Sequence, residues 1–167
     1  RKTHTVTAGG VKIGSKYPIV IQSMVKFETT ALARCVKQIN ALADAGAGLV
    51  RLAVPTAKDT AAFAKIVQKV KVPLIADIHF SADRAIEAIE AGAAKIRLNP
   101  GNIKDKNDVA RIIDCAKAHK IAMRIGINEA SIRNLLHDTP MRKRISLMIN
   151  EMAGYIRIFE KRGFDNI

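Results

Sequence analysis

Three strand-like runs in this chain each carry one arginine among apolar residues: Arg51 in "LVRLAVP", Arg97 in "KIRLNPGN" and Arg124 in "IAMRIGIN". Desolvating an unpaired ion is expensive, so a guanidinium inside a strand needs a partner. Side chains alternate faces along a strand. In "KIRLNP", Arg97 and Asn99 share the face opposite Ile96 and Leu98. In "AMRIGIN", Arg124, Gly126 and Asn128 stand opposite Met123, Ile125 and Ile127, and Arg51 opposes Val50 and Leu52. A fourth run, "PLIADIHF", sets Asp77 and His79 opposite Ala76 and Ile78. One strand face thus gathers Arg51, Asp77, His79, Arg97, Asn99, Arg124 and Asn128.

An internal ion pair explains any one of these arginines taken singly. Together they have one clear carboxylate, Asp77, to share. The surplus positive charge asks for an external anion, and guanidinium forks match phosphate oxygens bidentately. The expected ligand therefore carries at least a double negative charge. His79 has two readings, a packing residue or a ligand contact, and its strand-end address favours the second. Asp77 either orients His79 or pairs an arginine. The segment "NPGN" (99–102) reads equally as an ordinary turn and as an anion-binding nest around Gly101.

The elements that must position these residues follow from periodicity. "THTVTAGGVKIG" alternates apolar and polar residues around Gly9-Gly10, which predicts a β-hairpin. Strands are then predicted at 19–24, 49–54, 73–80, 95–100 and 121–128. Helices are expected at 31–45, about 58–70, 82–91 with Ser81 as cap, about 105–118 and about 145–161. "FDNI" at 164–167 reads as the start of a sixth strand. Strand and amphipathic helix alternate with a short period, the mark of a parallel sheet with crossover helices. A doubly wound sheet usually has a Gly-rich loop after its first strand, and "SMVKFETT" has none. A (β/α)8 barrel needs about 250 residues, and this chain has 167. The expected fold is α/β, of (β/α)8 TIM-barrel type. Residues 1–167 would form the N-terminal portion of one barrel domain, an incomplete barrel of about five βα units behind an N-terminal β-hairpin. In a barrel the polar face is the interior. His79, Asn99 and Asn128 then sit at the C-terminal strand ends, where barrel enzymes place their chemistry.

Composition agrees with an anionic ligand. Lys and Arg number 28 against 15 Asp and Glu, a net charge of +13. Nucleic acid, a membrane surface or a phosphorylated metabolite would each suit that balance. A nucleic-acid-binding domain should interleave aromatics with its basic residues for stacking, whereas this chain is 4% aromatic and lacks tryptophan. The basic residues of "KNDVARIIDCAKAHK" and "MRKRISLMIN" fall at helical spacing and read as solvated faces. No apolar run approaches the roughly 20 residues of a bilayer span, and "RKTHTVTAGG" lacks a signal-peptide core. Cys35 and Cys115 form no CxxC pair, so a reducing cytoplasm is the simplest compartment.

"IQSM", "VRLAVP", "PLIADIHF", "KIRLNPGNI" and "RIGIN" occur in this order. Together they resemble the 4-hydroxy-3-methylbut-2-enyl diphosphate synthase family of the methylerythritol phosphate route to isoprenoids, from about residue 3 to the end. The resemblance implies a barrel that binds 2-C-methyl-D-erythritol 2,4-cyclodiphosphate. It also implies a separate C-terminal domain holding a 4Fe–4S cluster on three cysteines and a glutamate. Reductive ring opening with loss of water would take place between the barrel of one subunit and the cluster domain of its partner in a homodimer, with electrons from flavodoxin or ferredoxin. The family's diphosphate contacts match Arg51, Arg97, Arg124 and Asn128, with His79 and Asn102 in the same pocket. A lysine and a serine of the family's site fall beyond Ile167. Two stretches depart from the family. "QSMVKFETT" has Val25, Lys26 and Phe27 for small polar residues, and "NEASI" has Ala130 for a glycine. Cluster cysteines are absent from the sequence, so the expectation is an N-terminal fragment that binds substrate without completing the redox step. The rival enzyme is a barrel resembling dihydropteroate synthase, whose pterin-binding motifs are not found here.

Overall fold

The computed structural model describes residues 2–103, 105–132 and 138–167, with only the backbone at Pro100 and Ala130. A two-stranded antiparallel hairpin comes first, β1 (Val6–Ala8) and β2 (Val11–Ile13). Gly9 and Gly10 turn it, both at positive φ (56° and 83°), a conformation that primed hairpin turns require and glycine adopts without strain. Five βα units follow: β3 (Gln22–Met24), α1 (Leu32–Asp44), β4 (Leu49–Ala53), α2 (Ala57–Val67), β5 (Leu74–Ile78), α3 (Ala82–Glu90), β6 (Lys95–Leu98), α4 (Lys106–Ala118), β7 (Ala122–Ile125) and α5 (Met141–Lys161). β3 to β7 form one parallel sheet in chain order. A doubly wound sheet would reverse its strand order at a switch point. The sequential order is that of a barrel segment, as expected.

Local chemistry starts the helices. Thr56 and Asp59 form a reciprocal capping box on α2, and the Ser81 hydroxyl accepts from the Arg84 N–H at the start of α3. Asp105 caps α4 in the same way through the Asn107 N–H.

The sheet separates two apolar layers. Val50, Leu52, Ala76, Ile78, Ile96, Leu98, Met123 and Ile125 face the helices in the main core. On the opposite face, at the N-terminal strand ends, Leu49, Ile75 and Ala122 pack with Ala8, Val6, Val11 and Ile13 of the hairpin. The hairpin therefore covers one end of the polar strand face and leaves the C-terminal end to the charged residues. Among the described residues, no helix is long and apolar enough to cross a membrane.

The strands are shorter than their apolar runs predict. β3 pairs on one side only, its register beginning where Gln22 meets Leu49; Ile19 and Ile21 precede that pair and are 96% and 60% exposed, although the Ile21 carbonyl accepts the Gly48 and Leu49 N–H groups. Residues 79–80, 99–100 and 126–128 likewise fall beyond the last ladder partners and become loops. α5 starts at Met141, one turn before the first expected residue, because its "MRKR" turn continues the helix begun after Pro140. "FDNI" is not a strand. It makes one ladder-like bond, Met123 N–H to the Asn166 carbonyl at 3.0 Å, and the Asn166 amide clasps both backbone groups of Thr7 at 2.8 and 3.0 Å.

Candidate functional site

Register places Ala53, Asp77, Arg97 and Arg124 side by side across β4 to β7. Asp77 is the hub. The residue is 4% exposed. Oδ1 accepts from Arg97 Nη1 at 3.3 Å, while Oδ2 lies 3.5 Å from Arg51 Nε and 3.6 Å from His79 Nε2. Both alternatives for Asp77 are thus realised: it pairs arginines and it also touches the histidine. The Arg51 guanidinium leans on Met24, with Nε and Nη2 at 3.3 and 3.0 Å from the sulfur. Sulfur is a weak acceptor and leaves most of that cation's hydrogen-bonding capacity unspent. Arg97 Nε is buried without a hydrogen-bond partner. The Arg124 side chain is exposed and, among the described residues, has no ion pair. One carboxylate facing three guanidiniums leaves this face strongly positive.

A fourth cation lies on the same face. Lys95 is 8% exposed and donates to Gln22 Oε1 at 3.3 Å. Burial, and then the nearby positive charges of Arg124 and Arg51, push its ammonium below the ordinary lysine range. Period-two alternation from Arg97 and Asn99 back to Lys95 was the available signal for it.

The loops after β6 and β7 are latched together. Asn99, 1% exposed, donates from Nδ2 to Ser131 Oγ at 2.9 Å, and its Oδ1 accepts from the Gly101 N–H at 3.1 Å. Ser131 Oγ also accepts from the Asn128 N–H at 3.0 Å and has Asn99 Oδ1 and Asn128 Oδ1 both at 3.1 Å for its own proton. Asn99 therefore spends its amide inside the protein. The Gly101 and Asn102 N–H groups both turn back onto Asn99, so "NPGN" is an asparagine-anchored turn and these two amides do not form an open nest. Asn102 is half-buried in that turn, and Asn128 is exposed at the start of the next. Ser131 is a residue that sequence reasoning missed; the Asn-x-x-Ser capping spacing from Asn128 was its signal.

The departures after β3 have structural roles. Val25 is buried in the core and donates its N–H to the Arg51 carbonyl at 2.9 Å. The Lys26 N–H is held by Gln38 Oε1 at 2.9 Å. Phe27 is exposed beneath the Arg34 guanidinium, 5.9 Å from ring centre to Cζ. Phe80 is also exposed, next to His79 with ring centres 5.9 Å apart. What Ala130 does with its side chain lies outside the described residues. A cavity of about 540 Å³ lies at the other end of the sheet, among Gly10, Lys71, Pro73 and His119, away from the arginines.

An iron–sulfur cluster does not fit the side chains present. Cys35 is buried on α1 and Cys115 lies on α4, and no three potential metal ligands come together among the described residues.

Comparison with known proteins gives one consistent result. The GcpE TIM-barrel domain family matches residues 3–167. The 4-hydroxy-3-methylbut-2-en-1-yl diphosphate synthase (flavodoxin) of Malacoplasma penetrans is 43% identical over 166 residues, which cover 99% of this chain and 46% of that protein. The protein of the same name from Natranaerobius thermophilus is 40% identical over 171 residues, covering 99% and 47%. The chain thus spans about half the length of the curated relatives it matches. Among solved structures, a Yersinia pestis dihydropteroate synthase superposes with a TM-score of 0.65 over 98% of this chain and 62% of that one, at 14% identity. That likeness is one of fold.

Proposed function

This chain belongs to the GcpE TIM-barrel domain family, and on that premise we propose that it is the substrate-binding part of a 4-hydroxy-3-methylbut-2-enyl diphosphate synthase. It holds 2-C-methyl-D-erythritol 2,4-cyclodiphosphate for reductive dehydration to the open-chain diphosphate. The observation that carries this reading is the charge imbalance around Asp77: Arg51 and Arg97 share its single carboxylate, while Arg124 has no acidic partner among the described residues. Held from one side by Asp77, the first two guanidiniums keep N–H groups free for phosphate oxygens, and Arg124 adds a third fork. Asn128, exposed at the same end, offers its side chain to the ligand, and His79 stands beside the pair. Asn102 completes the rim, and Asn99 holds the loops that carry these groups.

When the ring opens, a phosphate oxygen leaves carbon and becomes terminal, so the anion gains charge. Fixed cations already in place stabilise that change without reorganising. The electrons come from flavodoxin, which the relatives' names include, or from ferredoxin. The 4Fe–4S cluster is held outside the described residues of this chain, in a homodimer within the cytoplasm. A dihydropteroate-synthase-like function is supported by fold likeness alone, at 14% identity.

Calorimetric titration of the full-length protein with the cyclodiphosphate tests the reading. Arg97→Leu should weaken binding tenfold to a hundredfold, because a charge-assisted hydrogen bond is worth roughly 1.5–3 kcal/mol. The loss of stability should stay below the ~3–5 kcal/mol of a stranded buried charge, because Asp77 keeps Arg51 and His79. Unchanged affinity in this variant, or equal affinity for a pterin diphosphate, would sink the proposal.

A further inference from the structure

We propose that Gly126 is a positioning residue for substrate binding: its missing Cβ is the seat of the Arg97 guanidinium. The inference rests on the diphosphate reading above and adds to it the residue that aims one of the cations. Gly126 is buried just past β7, and its N–H donates to the Leu98 carbonyl at 2.7 Å, so its backbone is pinned to β6. Its φ is outside the left-handed region, so φ by itself does not require glycine there. What excludes one is space. A Cβ at this position would stand 2.7 Å from Arg97 Nε, 2.9 Å from Nη2 and 3.1 Å from Cζ. These are the nearest contacts, and all belong to one guanidinium. The closest clash a side chain here would make is therefore with Arg97.

The guanidinium lies between two constraints. Asp77 Oδ1 holds Nη1 at 3.3 Å on one side, and the bare backbone of Gly126 supports Nε and Nη2 on the other. Arg97 Nε has no hydrogen bond of its own to resist displacement. An alanine at 126 must push the group off its seat, either away from Asp77 or out of the plane it presents to the ligand. The net charge of the site stays the same. A bidentate contact depends on the orientation of the fork, so the loss should appear in affinity.

A double-mutant cycle on the full-length protein tests this, with 2-C-methyl-D-erythritol 2,4-cyclodiphosphate and inorganic pyrophosphate as titrants. Gly126→Ala alone should weaken binding on the order of tenfold. In an Arg97→Leu background, which removes the atoms that clash, the same alanine should cost nothing further and should melt at the temperature of the single leucine variant. Additive losses, or native affinity in Gly126→Ala, overturn the seat while leaving the diphosphate reading intact. An Arg97→Leu variant with native affinity overturns the diphosphate reading itself. If Gly126→Ala alone fails to fold, the double variant should fold, and its failure to do so also refutes the proposal.

Discussion

Arg97 and Arg124 are register partners across β6 and β7, so two permanent cations rise from adjacent strands at one level and on one face. Asp77, the register partner of Arg97 on its other side, bonds Arg97 and lies within reach of Arg51. Like charges directly opposite one another on a sheet oppose its formation. A sheet that keeps this arrangement gives up some stability, as the proposed anion site would require.

Arg124→Leu follows directly. The substitution removes the like-charge neighbour of Arg97 and also relieves Lys95, whose ammonium Arg124 disfavours. Stability should hold or rise by a few tenths of a kcal/mol, up to ~1 kcal/mol. Affinity for the cyclodiphosphate should fall about tenfold or more. Melting and titration of the one variant read both numbers; a clear fall in Tm with native affinity would contradict the arrangement.

Ser131→Ala addresses the latch. Ser131 Oγ accepts from Asn99 Nδ2 and from the Asn128 N–H; without it Asn99 Nδ2 keeps only its 3.5 Å bond to Asn128 Oδ1, and the Asn128 N–H loses its acceptor. Losing the buried Asn99–Ser131 bond should cost roughly 0.5–1.5 kcal/mol. The loops after β6 and β7 should open locally more often. Amide hydrogen exchange should quicken at Gly101, Asn128 and their neighbours while the β4–β6 ladders keep their protection. Uniform acceleration across the sheet would show that the serine serves global stability only.

Lys95→Met tests the buried ammonium. Burial first, then Arg124 and Arg51, lower its pKa in the fold. The folded chain therefore releases this proton at a lower pH than the unfolded chain. Below the depressed pKa the charge is present in both states and burdens the folded one. As pH rises through the depressed pKa toward the ordinary lysine value, the folded state sheds that burden and the wild-type protein gains stability. Methionine should raise stability at neutral pH by an amount on the order of 1 kcal/mol, about 2–4 °C in Tm at this size. That advantage should shrink in melts at alkaline pH. An advantage that grows with pH would reverse the assignment.

Much of this architecture was legible in one dimension. The period-two alternation of "LVRLAV", "LIADI" and "KIRL" predicts strands, and their common polar face, because side-chain direction along a strand is a local property. Strand and helix in short alternation specify a parallel sheet, and the motifs from "IQSM" to "RIGIN" point to the family that the matched residues bear out. Gly9-Gly10 marks the hairpin because two consecutive positive φ angles suit glycine. The tertiary structure alone decided which groups meet. Strand ends shorten at β3, β5, β6 and β7 because a ladder lasts only while a neighbour lies in register, and register is a relation between distant segments. The same relation puts one carboxylate between Arg51 and Arg97, turns Asn99 inward onto Ser131, and lays the Arg97 guanidinium over Gly126. Each of those contacts joins different strands or their loops. Alternation says which face a side chain takes, and only the pairing of the strands says what it finds there.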